Sequence, residues 1–347
     1  MSLPEGAGAL PARTDVLIIG GGPAGVLSAL CLARLGIDHL LVERRARPRE
    51  HPKAHELSSR SLEILTELGV DGRRLAREAS DRETAERILF CETIDRELGR
   101  IELGAPDIAE KYRRHLRGPW SFLNVSQSEL EKVLRRTALG AGMRMAAERQ
   151  ADILGQDENG VRVRITTRSG ATRTLEAGYV ICADGAAGHS RGALGVPMRG
   201  PEKIQDFVSA YFTNDLRRVL ETPAKLYWIL DPECYGTVIC HHPAKRWVMH
   251  VPVYDGETTA DFSSEVFARR IRRALGRDDL EIQIESISPW RMTAQVAERF
   301  RAGRAFLVGD AAHRFPPTGG LGMNSGIGDA HNLCWKLAAV LRGRASD

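Results

Sequence analysis

Between Asp15 and Arg45 the chain reads DVLIIGGGPAGVLSALCLARLGIDHLLVERR, and no other stretch constrains the fold as tightly. Val16 to Ile19 is an unbroken apolar run rich in β-branched residues, as expected of a buried strand in a parallel sheet. Gly20, Gly22 and Gly25 follow in G-x-G-x-x-G spacing. The first permits a tight turn, the second lets backbone approach a pyrophosphate, and the third lets helix pack on strand. A helix is expected from about Pro23 to Leu35, with proline tolerated in its first turn and Gly36 as C-cap. Its N-terminus would point free N–H groups and a positive dipole end at phosphate. The second apolar run, HLLVE, ends at Glu43, where an acid can accept hydrogen bonds from a ribose. A glycine-rich turn without a ligand is the competing reading. The strand, helix, second strand and terminal acid in register favour a dinucleotide site, with NAD and FAD both open.

Two further stretches are informative. In YVICADGAAGHSRGALG, from Tyr179 to Gly195, an apolar strand ends at Ala183, Asp184-Gly185 turns, and Ser190-Arg191 opens the next element. From Gly303 to Leu341 the chain reads GRAFLVGDAAHRFPPTGGLGMNSGIGDAHNLCWKLAAVL. The strand AFLVG leads into Asp310, a Pro/Gly-rich loop follows, and a helix is expected from about Met323. Ile327, Ala330, Leu333, Cys334, Leu337, Ala338 and Leu341 form its apolar stripe, and Gly343 is its stop.

These three motifs, in this order, resemble the FAD-dependent aromatic hydroxylases of the para-hydroxybenzoate hydroxylase type. Within that class the chain is most similar to the phenol, dichlorophenol and polyketide-tailoring hydroxylases, over nearly its whole length from Asp15. The resemblance implies an α/β fold: a Rossmann-like FAD-binding domain with a parallel sheet, plus a mainly antiparallel β-sheet substrate domain. It implies a discontinuous FAD-binding domain of residues 1–80, 120–197 and 290–347, with residues 81–119 and 198–289 forming the substrate domain.

The resemblance also implies roles. Gly20, Gly22, Gly25 and Glu43 would hold the ADP half of FAD, with Arg44 beside them. Asp310, after Gly309, would bind ribityl or ribose hydroxyls. Asp184 would help hold the cofactor near the path of the nicotinamide donor, and Gln127 would contact its flavin side. Lys53 stands where the family often has an arginine; it keeps the charge and loses the bidentate fork. From Gly319 to Asn324, including Gly320, Gly322 and Met323, backbone N–H groups at a helix N-terminus form an anion site suited to reduced flavin. Pro316-Pro317 would rigidify the loop, with Pro317 beside the substrate. Pro317 and Gly320 are therefore the expected catalytic-loop positions, and no side-chain base is assigned.

The implied reaction uses NADPH or NADH to reduce FAD, O2 to form a flavin C4a-hydroperoxide, and hydroxyl transfer to a phenolic or aromatic polyketide ring. The cofactor carries that chemistry, and the protein supplies placement and dryness. The chain ends at RGRASD, shortly after the flavin-motif helix, whereas the resemblance implies further helices beyond it. Two alternatives are therefore carried: a hydroxylase with a more open site, and a truncated FAD-binding protein that uncouples or serves as a binding module.

Between residues 198 and 289 the runs FVSAYFTND, KLYWILDP, GTVICHH, RWVMHVPVY and LEIQIESISPW alternate with turns, the pattern of an antiparallel sheet. The helix FSSEVFARRIRRALG interrupts it. In the family this sheet roofs the active site. Tyr211, Tyr227, Trp228, Trp247, His250 and Trp290 are the candidates to line an aromatic pocket.

Other function classes find less support. The net charge of +4 is too balanced to argue for nucleic acid, and no apolar run is long enough to span a membrane. The N-terminus reads as a short disordered leader without a signal pattern. The six cysteines include no C-x-x-C pair, which fits buried, reduced thiols in a cytoplasmic protein. Neither His51/His55 nor Cys240-His241-His242 offers a recognisable ligand set, so no metal is expected. Gly188 to Gly192 matches G-x-S-x-G, but Ser190 lies too far past the strand end for a nucleophile elbow. The arginine runs ERRARPRE, YRRHLR and RRIRR read as solvated faces; the first could meet a 2′-phosphate of NADPH. The expected partners are thus a small aromatic substrate and O2, with the chain a monomer or homodimer.

Overall fold

The computed structural model describes residues 10–48, 51, 53–106, 108, 110 and 122–347. Most of the expected leader, the YRRHLR run and the last two residues of ERRARPRE lie outside the described residues.

The dinucleotide stretch folds as its pattern requires. Arg13–Ile19 is a strand, Pro23–Arg34 a helix and His39–Glu43 a second strand. The first strand runs parallel to both His39–Glu43 and Thr172–Cys182, placing Ile19 opposite Val42 and Cys182. Ala305–Leu307 and Met145–Ala147 continue this parallel pairing outward, and flanking antiparallel strands complete an eight-stranded sheet. The apolar run at Val16–Ile19 is continuous because both faces of the sheet are covered. Val16, Ile18, Tyr179 and Ile181 pack under the helices, while Leu17, Ile19, Val180 and Cys182 pack with Val163, Ile165 and Leu307 on the opposite face.

The final helix spans Leu321–Leu341, starting two residues before the expected Met323, because Gly320 at φ 63° serves as its N-cap. Ile327, Ala330, Cys334, Leu337 and Ala338 are buried in the helical core.

The second sheet has seven strands, in the order Gln283–Met292, Gln205–Thr213, Arg246–Pro252, Gly236–His242, Leu226–Ile229, Arg87–Cys91 and Glu97–Glu102. Neighbours are antiparallel except Leu226–Ile229 against Arg87–Cys91. One face packs on the helix Ser264–Leu275, through Phe267, Ile271, Ala274 and Leu275. That helix is bounded by local chemistry: the Ser263 hydroxyl accepts the Val266 N–H, and Gly276 closes it at φ 64°. The other face meets the segment around Glu56–Leu57, which pairs with Leu123–Asn124.

All six cysteines are free and buried, and burial pushes the thiols of Cys91 and Cys234 up to about 11. Among the described residues no helix is long and apolar enough to cross a membrane.

Candidate active site

The glycine loop is tight on one side and open on the other. A Cβ on Gly25 would stand 1.9 Å from the Gly20 carbonyl oxygen, and one on Gly20, at φ 107°, 2.4 Å from that of Ala183. A Cβ on Gly22 would meet nothing within 4 Å. That open side faces a helix start with no side-chain cap. Glu43 is buried and shapes the loop: its Oε2 accepts the Gly21 N–H at 2.6 Å and its Oε1 the Arg45 N–H at 2.8 Å. Each oxygen keeps a lone pair for a ribose hydroxyl. Arg44 is exposed beside it.

Arg135, in the helix Gln127–Gly140, donates to the Gly21 carbonyl, and its Nε is buried without a partner among the described residues. Sequence reading missed this buried cation beneath the glycine loop, because a lone arginine on a helix carries no motif. Gln127 opens the same helix and donates to Glu131 Oε1 at 2.8 Å. Burial raises the Glu131 carboxyl, opposed by the Gln127 bond and the charges of Arg135 and Lys53. Lys53 is exposed.

Asp184 holds its own turn. Its Oδ2 accepts the Ser190 N–H at 2.9 Å, and its Oδ1 is buried without a partner among the described residues. Gly188 must stay small, since a Cβ there would lie 2.1 Å from Asp184 Cγ. Ser190 is buried and opens a four-residue helix, which leaves the hydrolase elbow without its geometry.

Asp310 is exposed in the turn Gly309–Ala311. Asp329, on the final helix, fixes that turn by accepting the Gly309 N–H at 2.9 Å and bonding His313 Nε2 at 2.6 Å. The turn is wedged against the first helix, with a Gly309 Cβ position 3.3 Å from Ala24 Cβ. Asp310 and the glycine loop are therefore neighbours.

The Pro/Gly loop turns at Gly319 (φ 87°) and Gly320 (φ 63°), and Gly320 N–H bonds the Pro317 carbonyl at 3.1 Å. Pro317 is exposed. The Asn324 amide is fully used: Oδ1 accepts from Ser58 N and Ser61 Oγ, and Nδ2 donates to the Glu56 and Gly320 carbonyls. Asn324 can therefore offer a ligand only its backbone. The first turn, Leu321, Gly322 and Met323, has no side-chain cap. Glu56 packs on this loop, 3.3 Å from a Gly320 Cβ position, and ion-pairs at 2.6 Å with Lys225, which is 5% exposed. This pair ties the loop to the second sheet.

Strand register sorts the six aromatic-pocket candidates. Ser288, Ser209, His250, Thr237 and Trp228 lie opposite one another across successive strands. Tyr211 and Trp290, two residues along, share their face. Tyr227, one residue from Trp228, and Trp247, three from His250, are in the opposite phase and point into the core on the other side, each 0% exposed. The Tyr227 hydroxyl bonds Ala224 N and Thr222 O, and Trp247 Nε1 donates to Asn214 O. The expectation that these two line a pocket is therefore corrected: their period-two phase makes them core.

The segment His51–Leu57 crosses the remaining face. His51 Nδ1 lies 2.8 Å from Ser286 Oγ, with its ring edge-on to Tyr211. His55 stands edge-on to His241 and bonds Asn124 Oδ1 at 2.7 Å. Asn124 Nδ2 donates to Ser80 Oγ and the Cys240 carbonyl. Burial, with His51 and His55 nearby, pushes His250 down to about 3. Burial likewise holds His241 well below the usual imidazole range and lowers His55. These rings are neutral at neutral pH. Among the described residues no group of three or more His, Cys, Asp or Glu is placed to hold a metal.

Comparison with known proteins agrees with this geometry. The FAD binding domain family matches residues 13–347. The chain is 37% identical over 344 residues to a putative polyketide hydroxylase of Streptomyces halstedii, covering 96% of this chain and 61% of that protein. It is 34% identical over 350 residues to a 2,4-dichlorophenol 6-monooxygenase of Cupriavidus pinatubonensis, covering 98% of this chain and 58% of that one. The chain thus spans about six-tenths of the length of these curated relatives. Its structure matches the flavin-dependent monooxygenase PieE, solved with FAD and substrate, at a TM-score of 0.91 and 34% identity, covering 96% of this chain and 59% of that one. From a match across nearly its whole length, this chain belongs to the FAD binding domain family.

Proposed function

We propose that the chain is the catalytic part of an FAD-dependent monooxygenase that hydroxylates a phenolic or aromatic polyketide ring, using NADPH or NADH and O2. One observation carries the reading: an uncapped, glycine-rich helix start and a polar aromatic sheet face are held together through Glu56 and Lys225. Residues 1–80, 120–197 and 290–347 would form the cofactor part, and 81–119 and 198–289 the substrate part.

The residues fit FAD. The open side of Gly22 is a cradle for the pyrophosphate, and Arg135 adds positive charge beneath it. Glu43 would accept a ribose hydroxyl, and Asp310, held by the Asp329-fixed turn, a ribityl hydroxyl. The unpartnered Asp184 Oδ1 supplies one more acceptor. The N–H groups of Leu321, Gly322 and Met323 would stabilise negative charge on the reduced ring. When bound, FAD supplies electron transfer from NAD(P)H and activation of O2. Tyr211, Trp228, His250 and Trp290 would orient the aromatic substrate against the loop. Pro317 would wall the site beside them and help exclude water.

The test is NADPH and O2 consumption by the FAD-loaded chain, with and without 2,4-dichlorophenol and fused-ring polyketide phenols. Substrate-stimulated consumption with a hydroxylated product is expected. Consumption that no aromatic compound stimulates or converts to product would sink the hydroxylase reading.

A further inference from the structure

If an aromatic substrate lies on the face formed by Tyr211, Trp228, His250 and Trp290, which rests on the function just proposed, the hydrogen bonds of that face determine how its oxygen is recognised. Trp290 Nε1 can only donate, and it gives its hydrogen to Ser209 Oγ at 2.7 Å. Ser209 is 1% exposed, and its own hydroxyl hydrogen has one acceptor among the described residues, His250 Nδ1 at 2.5 Å. Buried hydroxyls keep their hydrogens bonded, so Nδ1 is the acceptor. The neutral ring then carries its hydrogen on Nε2. His250 as a residue is not fully closed off from solvent, and its ring's one hydrogen bond among the described residues is the one at Nδ1. Its orientation is fixed from both sides. Trp290 stacks on Phe207 with centroids 4.5 Å apart and meets His250 edge-on at 5.5 Å.

We propose that His250 Nε2–H donates a hydrogen bond to an oxygen of the aromatic substrate, a phenolate or a ring carbonyl, with Ser209 and Trp290 setting the tautomer and the ring angle. A neutral donor of this kind selects an oxygen with an available lone pair. It also favours the phenolate over the phenol, the form richest in electrons at the ring carbons. An aryl ether oxygen is a poor acceptor and would be discriminated against.

The test uses the FAD-loaded chain with 1-naphthol, 1-tetralone and 1-methoxynaphthalene, reading affinity from the visible absorbance of the bound flavin. Wild type should bind the naphthol or the tetralone at least about tenfold tighter than the ether. Whichever is preferred distinguishes phenolate from carbonyl recognition, and a naphtholate absorbance band on binding marks the former. His250→Phe should abolish the preference, and His250→Gln should keep part of it through its amide N–H. Ser209→Ala and Trp290→Phe should reduce it without changing FAD affinity, and they decide the matter if His250→Phe does not fold. A preference that survives in these variants, or a wild type with none, including one that binds no probe, would overturn the inference. Failure to hold FAD at all would instead count against the proposed function.

Discussion

Gly22 and Gly25 share one motif, yet their surroundings predict opposite failures. Gly25→Ala drives a methyl to 1.9 Å from the Gly20 carbonyl oxygen, backbone that cannot swing aside. It should destabilise the fold by about 1–3 kcal/mol or more, read by thermal unfolding. Gly22→Ala meets nothing within 4 Å, so its melting temperature should stay near wild type while FAD affinity falls about tenfold or more. Equal loss of stability in both variants would contradict this division. The buried histidines give a second prediction. His250, pushed down to about 3, and the lowered His55 and His241 stay neutral in the fold, with His51 also facing His250. Unfolded, each protonates near pH 6.5. Below that pH the unfolded chain binds more protons, so stability is full above about 6.5 and falls as pH drops. Between about 6.5 and about 3 the loss approaches about 1.4 kcal/mol per pH unit for His250. His250→Gln should flatten the acid limb by one histidine's share, and an unchanged slope would contradict the assignment. At this scale the glycines and Glu43 were legible because their spacing encodes backbone shape. Arg135 and Asp329 were not, since each acts on a turn distant in sequence.

The turn Gly309–Ala311 illustrates how an element is positioned by another. Its αL glycine and exposed Asp310 stay in place because Asp329 takes the Gly309 N–H and the His313 ring. Asp329→Ala removes both bonds and leaves a backbone N–H without its partner, at about 1–3 kcal/mol. FAD affinity should fall about tenfold, measured by flavin fluorescence, with Asp329→Asn milder because its carbonyl can still accept one bond. An unaltered affinity in Asp329→Ala would show that the turn does not need this support. Element identity was largely legible: the first strand–helix–strand, the final helix and five strands of the second sheet carry clear periodicity. Arg87–Cys91 and its antiparallel partner Glu97–Glu102 escaped, because RILFC is too short to announce a strand. The period-two phase that separates Tyr227 and Trp247 from Tyr211, Trp228, His250 and Trp290 was present in the sequence. It becomes decisive only when neighbouring strands are in register.

Across the whole molecule, two sheets with separate cores must hold a loop and a sheet face in fixed relation. The Glu56–Lys225 pair spans that junction, and its two ends are unequally buried, with side chains 27% and 6% exposed. Removing the carboxylate strands a buried ammonium, so Glu56→Ala should cost about 3–5 kcal/mol. Lys225→Met leaves a carboxylate that water can reach and should cost clearly less; the reverse order in chemical denaturation would contradict this account. The junction was not legible in sequence, since Glu56 and Lys225 lie far apart along the chain and neither belongs to a motif. The first measurement is therefore an FAD titration of the purified chain, followed by visible absorbance and flavin fluorescence, beside Gly22→Ala. Stoichiometric binding with quenched fluorescence, weakened in the variant while its fold persists, is the predicted result. A folded chain that leaves saturating FAD unbound would contradict the assignment of the glycine loop, the Asp310 turn and the final helix start to one cofactor site.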